Sequence, residues 1–352
     1  ADYGRKLYLI QRCIYGVDIQ QIAVEIARLR FFISLMVDEK IDNRKENHGI
    51  EPLPNLDFKL MRGNSLIEYG SPDLIVKGKD EVKNKLIDSY FEMKEKYFFT
   101  SDHKIKKGLF DQINSIIVQL ANYDYQKQYD EENKKLEGFK AQNRLFGTLT
   151  GENLSFEDRR PEVLRLSKKI KEVAEKLIKL GTDHFEWHLY FNEVFEKGGF
   201  DIVIANPPYV DSEHMVITDP ELREHYSRIF ITATGNWDLF VIFVERGINL
   251  LKEDGTLIFI IPNKLLSANY TDNLRKLLLT KSIKEIRDYS RVGVFIDQDI
   301  YPITLLLKNT KKGENDVCRM TTMKTIEEVT QTNEIGANIF YQDIYWDRYF
   351  FD

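Results

Sequence analysis

This 352-residue chain has only two cysteines, no long apolar run and no excess of positive charge. The two cysteines, Cys13 and Cys318, are too few and too far apart for a disulfide framework or a zinc site, which fits a reducing cytoplasm. No apolar run approaches the roughly 20 residues that span a bilayer, and no secretory signal opens the chain. We therefore expect a cytoplasmic protein with no membrane segment and no metal site.

The charge balance weakens one further class of function. Lysine and arginine number 50 against 56 aspartate and glutamate residues, which gives a net charge of −6. Because clustered positive charge supplies non-specific DNA affinity, we expect the main DNA-gripping module of any DNA-binding parent to lie largely outside this chain. The hydrophobic fraction of 43% and the aromatic fraction of 12% are ample for a folded core.

The most informative stretch is residues 200–209, Phe-Asp-Ile-Val-Ile-Ala-Asn-Pro-Pro-Tyr. The apolar run at 202–204 predicts a short buried strand that is covered on both faces in a parallel sheet. Proline cannot continue a central strand, and it holds the preceding residue in an extended conformation. We therefore expect Asn206 and Pro207 at the carboxyl edge of the sheet, where open α/β folds bind ligands.

This segment presents two oxygen acceptors and a flat ring. Asn206 has a side-chain carbonyl, and the main-chain carbonyl of Pro207 has no neighbouring N–H from Pro208 to compete for it. Tyr209 adds an apolar face, so the segment suits an amino group attached to a planar ring. The alternative is a rigid turn, because Asn-Pro pairs are common turn starters. The apolar strand directly before the motif favours the functional interpretation.

The motif resembles the catalytic motif of adenine-specific DNA methyltransferases of the amino (γ) class, and more closely the methylase part of type IIG restriction–modification enzymes. The resemblance covers roughly residues 8–70 and 183–310, with the motifs in the family's order. It implies an α/β fold of the class I methyltransferase (Rossmann-like) type, with a doubly wound sheet. It also implies methyl transfer from S-adenosylmethionine to double-stranded DNA within a restriction–modification system.

The same resemblance implies catalytic roles for three residues. The side chain of Asn206 and the carbonyl of Pro207 would accept hydrogen bonds from the exocyclic amine of a flipped-out adenine, which leaves its lone pair free to attack the methyl group. Tyr209 would stack on one face of the extruded base, and Phe295 would stack on the other. The alternative for Phe295, which lies in a predicted loop, is a buried loop anchor.

Three further residues match positions that hold the cofactor in the family. Asp18 ends an early strand and would accept the ribose hydroxyls; its alternative is a helix N-cap. Asn64, in Gly63-Asn64-Ser65, would bind the cofactor adenine, although Asp is common at that position; its alternative is a turn residue. Phe243 would pack against the same adenine, whereas Phe240 is interpreted as core.

Four regions are predicted along the chain: a first part of the methyltransferase core (1–79), a large helical insertion (80–182), the catalytic part of the core (183–310), and the start of a target-recognition or linker domain (311–352). Apolar patterning predicts strands at 14–18, 58–61 and 256–261, helices at 20–38, 239–251 and 269–280, and a closing antiparallel pair at 283–289 and 303–307.

The Gly-rich loop Asp-Pro-Ala-Cys-Gly-Ser-Gly, with which the family begins its sheet, is not found. The first strand, which would be central in a doubly wound sheet, is not found either. A nuclease domain and most of a target-recognition domain are also missing. We therefore expect a piece of a longer polypeptide, and we expect the isolated chain to bind the cofactor weakly or not at all.

Two alternatives to DNA methylation stay open. Release-factor glutamine methyltransferases also use Asn-Pro-Pro-Tyr, on an amide nitrogen, but they are compact and lack an insertion of this size. The other alternative is a non-catalytic DNA-binding fragment, which the absent Gly-rich loop and the negative charge favour. The intact motif at 206–209, together with Asp18 and Phe295, opposes it.

Overall fold

A computed structural model provides the fold of this chain. It describes residues 2–37, 44, 56, 58–68, 75, 77–100, 102–150, 165, 168, 185–210, 212–294, 301–311, 313, 315–336 and 345–350. The chain divides into two compact units, Ala1–Phe191 and Asn192–Asp352, and each unit is described by itself.

The first unit contains a small parallel sheet of β1 (Gly16–Asp18) and β2 (Leu60–Arg62). Helix α1 (Asp2–Arg12) precedes β1, and helix α2 (Gln21–Met36) follows it. The register pairs the last residues of the two strands, so both strands end at the same edge. The predicted elements at 14–18, 20–38 and 58–61 are therefore present, with ends displaced by one or two residues.

Helix α2 carries apolar residues on two opposite faces. Val24 and Leu35 are buried. A second stripe at helical spacing is 46–64% exposed and consists of Ile22, Ile26, Leu29 and Ile33. Apolar spacing therefore predicted the helix correctly but did not identify its buried face, because both faces are apolar.

The region 80–182, predicted to be a helical insertion, contains two long helices in the described part of the chain, α3 (Glu81–Phe99) and α4 (His103–Thr150). Asp80 caps α3 by accepting two backbone N–H groups at 3.2 Å. It also binds α4, with the Tyr123 hydroxyl at 2.8 Å and the Lys127 ammonium at 2.7 Å. These contacts, the hydrogen bond from Lys127 above all, lower the pKa of Asp80. The predicted helical positions 170, 173, 177 and 180 lie outside the described residues.

The second unit is built on a mixed sheet of six described strands. These strands are β3 (Phe200–Ala205), β4 (Leu251–Pro262), β5 (Lys281–Asp288), β6 (Pro302–Lys311), β7 (Val317–Met323) and β8 (Val329–Gly336). After α5 (Trp187–Tyr190), which ends the first unit, the helices are α6 (Asn192–Phe195), α7 (Ser212–Thr218), α8 (Pro220–Ile229), α9 (Leu239–Leu250) and α10 (Asp272–Leu278). Short 3₁₀ helices occur at Asn263–Leu266, Asn269–Thr271 and Asp347–Phe350.

The strand directions bring the carboxyl ends of β3, β4 and β5, together with that of β7, to one edge of this sheet. The strand order is β3-β4-β6-β5-β7-β8. Strands β3 and β4 are parallel, and β6 runs antiparallel to both β4 and β5. Therefore β3, β4 and β5 point the same way. The predicted closing antiparallel pair is observed as β5 and β6.

The core of the second unit joins α9 to β4. Phe240 and Val244 of the helix belong to one buried cluster with Leu257 and Phe259 of the strand. Fully burying side chains of this size contributes about 1.5–3 kcal/mol each. The approach is close because position 247 is glycine: a Cβ there would lie 2.7 Å from Cζ of Phe259.

The prediction that β3 is covered on both faces is wrong. Val203 and Ala205 pack against the core cluster, but Ile202 is 56% exposed and Ile204 is 72% exposed. Among the described strands β3 pairs only with β4, so it is an edge strand with one open face. A continuous apolar run shows which residues favour burial, but it does not show whether another element covers each face.

Strands β7 and β8 extend the sheet beyond residue 310. β7 pairs with β5 in parallel and with β8 in antiparallel orientation. Trp346 is fully buried in the same cluster as the β4 core. The division of the chain at 79, 182 and 310, including a further domain over 311–352, stays a prediction.

Because burial differs between β3 and β4, we expect two alanine substitutions in these strands to change the free energy of unfolding by very different amounts. Leu257 is fully buried and Ile204 is 72% exposed. Leu257→Ala should lower the free energy of unfolding by about 2–5 kcal/mol, whereas Ile204→Ala should change it by less than about 0.5 kcal/mol. Urea unfolding of the two variants checks this. An equally large loss at Ile204 would show that its face is covered in solution.

Candidate active site

Asn206 follows β3 directly and stands at the carboxyl edge of the sheet. The strand ends there because Pro207 and Pro208 have no N–H with which to continue the ladder, and the last register pair joins Ala205 to Phe259. Asn206 is exposed and Pro207 is buried. The predicted placement of the motif is therefore observed, whereas its catalytic role stays a prediction.

The two oxygen acceptors of the motif have no hydrogen-bond donor within the described residues. Within the described residues, neither the side-chain amide of Asn206 nor the main-chain carbonyl of Pro207 has a hydrogen-bond partner in the protein. Each carbonyl oxygen has two lone pairs, so both groups keep unused acceptor capacity for a donor such as an amino group.

Tyr209 and Val210 hold the motif on two sides. The Tyr209 hydroxyl donates a long hydrogen bond, 3.4 Å, to the carbonyl oxygen of Ile260 in β4. The carbonyl of Val210 accepts the N–H of Leu239, the first residue of α9, at 3.1 Å. Desolvation by burial raises the pKa of Tyr209 to about 12, so the ring stays neutral near pH 7 and offers an uncharged π face.

Further polar residues, which no sequence motif had indicated, lie at the carboxyl edge of the sheet beside Asn206. Asn263, after β4, donates its backbone N–H to the carbonyl of Tyr301 at 2.8 Å, and its side-chain amide lies 3.4 Å from Oγ of Ser290. Ser290 donates its own N–H to Asp288, at the end of β5, at 2.8 Å. The available signal was a second Asn beside a proline at a strand end, Pro262-Asn263.

Asp18 ends β1 and is exposed. Its Oδ1 accepts the N–H of Gln20 at 2.7 Å, which forms a local turn. The cap residue of α2 is Gln20, so Asp18 is not the helix N-cap of the alternative interpretation. Its second carboxylate oxygen has no protein partner among the described residues and is open to a hydroxyl donor.

Asn64 follows Gly63 after β2, in a turn beside Asp18. Its side chain accepts the N–H of Leu66 at 3.0 Å, which is the turn role of the alternative interpretation. Gly63 is required by crowding, since a Cβ there would lie 2.8 Å from Cβ of Phe185. The cofactor role of Asn64 stays a prediction, because the turn accounts for the residue without it.

The arrangement fits the nucleoside part of a cofactor. The N–H of Gly63 donates to the carbonyl oxygen of Asp18 at 3.0 Å, so the ends of β1 and β2 form one edge. An acidic residue at the end of a parallel strand is the group that α/β folds use to bind a ribose diol. Asp18, with one carboxylate oxygen open, is suited to that contact.

The remaining aromatic candidates have different outcomes. Phe240 is fully buried, which confirms its interpretation as core. Phe243 is partly buried and packs against the same cluster, so core packing occupies part of its surface and its cofactor contact stays a prediction. Phe295 lies outside the described residues, and its stacking role stays a prediction as well.

The described ranges contain neither a candidate metal cluster nor a candidate membrane-spanning helix. No group of three or more His, Cys, Asp or Glu side chains there is placed to hold a metal ion. No helix within those ranges combines the length and apolarity needed to cross a membrane.

The second unit is thus a mixed α/β fold with an Asn-Pro-Pro-Tyr motif at the carboxyl end of a parallel strand. The chain belongs to the Eco57I restriction-modification methylase family, whose model matches residues 12–295. The resemblance to restriction–modification methylases is thereby confirmed.

Relatives of known name are much longer than this chain. RM.MjaORFECS2P of Methanocaldococcus jannaschii is 28% identical over an alignment of 337 positions that covers 83% of this chain and 25% of that protein. The type II restriction enzyme and methyltransferase RM.Eco57I of Escherichia coli is 32% identical over 117 residues, 33% of this chain and 12% of that protein. The solved type IIG restriction endonuclease BpuSI aligns at 16% identity over 43% of this chain and 21% of its own, with a TM-score of 0.33.

The shifted pKa of Tyr209 predicts a late ionisation. The pKa is about 12 in the folded chain against an ordinary value of 10.0, so the folded state keeps the proton longer. The resulting stabilisation is complete below the unfolded pKa and is lost as the pH rises through the folded one. The difference between the phenolate absorbance titrations of the wild type and Tyr209→Phe should have its midpoint nearer 12 than 10. A midpoint at the ordinary value would show that the hydroxyl is fully solvated.

Proposed function

We propose that this chain is the catalytic core of a DNA methyltransferase that transfers the methyl group of S-adenosylmethionine to the exocyclic amine of adenine. The observation that carries the proposal is a pair of hydrogen-bond acceptors at the end of β3 that have no partner in the described residues, the Asn206 amide and the Pro207 carbonyl. Membership of a restriction–modification methylase family supports the wider reaction class. The choice of adenine is the added step.

The acceptors act on the two hydrogens of the amine. An exocyclic amine has two N–H donors, and each carbonyl takes one of them. Held in this way, the nitrogen lone pair is drawn out of conjugation with the ring and points at the methyl carbon. The nitrogen becomes positive as the new bond forms, and the two fixed carbonyl dipoles stabilise that charge. The spare proton then leaves to water, so the site needs no strong base.

The methyl donor supplies its own driving force. In S-adenosylmethionine the methyl group is bound to a positively charged sulfur, which keeps the electron pair of the broken bond. The residues of this chain therefore bind and orient. Asp18 is proposed to accept the ribose hydroxyls, and Asn64 and Phe243 are proposed to contact the adenine of the cofactor.

Base capture is proposed to depend on stacking. Removing a base from the duplex costs a few kcal/mol, and stacking on an aromatic side chain contributes about 1–3 kcal/mol per base. The neutral ring of Tyr209, held by Ile260, is one such surface. Phe295, by its resemblance to the family, is proposed as the second, and together the two rings would offset most of the extrusion cost.

Double-stranded DNA is the proposed substrate, with most of the grip supplied from elsewhere. The net charge of −6 gives no general attraction to phosphates. We therefore propose that other domains of the same polypeptide provide target recognition and most of the electrostatic contact, and that this chain supplies the chemistry.

Asn206→Ala tests the proposal directly. In the full-length protein the variant should lose methyl transfer by about 100-fold or more, because one of the two charge-stabilising groups is gone. Since Asn206 is exposed, the free energy of unfolding should change by less than about 0.5 kcal/mol. Labelled methyl transfer, followed by nucleoside chromatography of the DNA, measures the loss and identifies the methylated base.

Asn249→Ala is the matched control, since Asn249 is an exposed asparagine on α9. It should transfer methyl groups at the wild-type rate. Label in methylcytosine would contradict adenine specificity, and label in a protein glutamine would favour the release-factor type of enzyme. DNA retention without transfer would favour a non-catalytic fragment. Unfolding of Asn206→Ala would show that the side chain is structural.

A further inference from the structure

A buried carboxylate stands at the start of α9, where it does not cap the helix. Asp238 occupies the N-cap position, but its side chain accepts no N–H of the first turn. Its Oδ2 instead accepts the Lys264 ammonium at 3.1 Å and the Tyr270 hydroxyl at 2.6 Å. The Asp238 side chain is only 10% exposed. Both partners belong to the two short 3₁₀ helices that follow β4, Asn263–Leu266 and Asn269–Thr271, which together are called the turn after β4. The carboxylate therefore ties the helix start to that turn.

The start of α9 is also bound to the active-site motif. The N–H of Leu239, the residue after Asp238, donates to the carbonyl of Val210 at 3.1 Å. Val210 directly follows Tyr209, whose hydroxyl contacts Ile260 of β4. The motif is therefore connected to β4 in two ways. It follows β3, which pairs with β4, and Val210 is bonded to the start of α9, which Asp238 bonds to the turn after β4.

The turn that carries Lys264 and Tyr270 is itself firmly held. Arg275 is 2% exposed, and its guanidinium donates to the carbonyls of Leu265 and Ala268 at 3.0 Å each. Its third contact is the Thr271 hydroxyl at 2.6 Å. The partners of Asp238 therefore project from a rigid support, which is the condition for a contact that positions another group.

We propose that Asp238, Lys264 and Tyr270 form a positioning clamp that fixes the start of α9 and, through it, the motif at 206–209. The proposal rests on the proposed function, since it assigns these residues an indirect part in that reaction. None of the three is given a contact with substrate. Each acts through the start of α9 and the Leu239–Val210 hydrogen bond.

The clamp is separable from the fold. The α9 helix is already attached to β4 by buried Phe240 and Val244 against Leu257 and Phe259. The clamp adds polar contacts only at the first turn, and the Lys264 side chain is 55% exposed. Loss of the clamp should therefore free the helix start and the motif while the apolar core keeps the helix in place.

Lys264→Met and Tyr270→Phe in the full-length protein test the clamp. Because a displacement of about 1 Å can cost 100-fold in rate, we expect kcat for methyl transfer to fall roughly 10- to 100-fold. The KM for S-adenosylmethionine should stay within about twofold, because Asp18, the proposed ribose contact, belongs to the first unit and Phe243 stays packed against the core cluster. Lys264→Arg, which keeps the cation, should recover most of the rate.

The matched control is Lys276→Met. Lys276 also pairs with an aspartate of the second unit, Asp272 at 2.7 Å, but on the exposed surface of α10. This variant should keep the wild-type kcat. A second check is the double variant Asp238→Asn with Lys264→Met: residues of one clamp are coupled, so the combined loss should be no larger than the greater single loss.

Two results would overturn the clamp while leaving the proposed function intact: an active wild type whose kcat is unchanged in Lys264→Met and Tyr270→Phe, or single losses that multiply in the double variant. A wild type that transfers no methyl group to adenine would instead overturn the proposed function. Hydrogen exchange then tests the clamp alone. The Leu239 amide should exchange faster in Lys264→Met while that of Val244 is unchanged, and unchanged exchange at Leu239 would overturn it.

Discussion

Two consecutive prolines at the end of β3 impose the constraint on which the site depends. They end the strand ladder at Ala205, hold Asn206 extended, and remove two backbone N–H donors from this edge. The result is a pair of carbonyl oxygens without a protein partner in the described residues. An amide and a carbonyl are ordinary groups, and what gives them chemical use here is that the backbone cannot satisfy them.

The rest of the second unit serves to keep that short segment in place, on two levels. Apolar packing of α9 on β4 supplies most of the attachment, since Phe240 and Leu257 are fully buried. Polar contacts then fix the detail: Tyr209 to Ile260, Val210 to Leu239, and Asp238 to the turn after β4. Packing is tolerant of small shifts, whereas hydrogen bonds depend steeply on distance and angle. The polar contacts are therefore suited to hold the motif within the tolerance that chemistry needs.

Apolar side chains are exposed in each of the two units of this chain, which spans about a quarter or less of the relatives named above. One stripe of α2 and one face of β3 expose isoleucine side chains, Ile22 and Ile204 being 64% and 72% exposed. Apolar side chains in such positions are ordinarily buried, and β3 in addition has one edge without a pairing strand among the described residues.

The secondary-structure elements and the polar groups at strand ends were predictable from the amino-acid sequence. The end of β3, the motif after it, the antiparallel closing pair and helices α2 and α9 all follow from proline geometry and apolar period, because these act between neighbours in the chain. Asp18 and Asn64 were also placed correctly at strand ends. Most boundaries moved by a residue or two, as the ends of elements depend on caps such as Gln20, but β4 begins five residues before its predicted start at 256 and β6 ends four residues after its predicted end at 307.

What the amino-acid order determined by itself was therefore the position of each strand end and the polar groups that it presents. The tertiary structure alone decided which faces are covered, as Ile204 and the two-faced α2 show, and which distant residues meet. Asp238 lies 26 residues before Lys264 and 32 before Tyr270, and no periodicity relates them. Such contacts arise from the packing of whole elements, so only the folded chain reveals them.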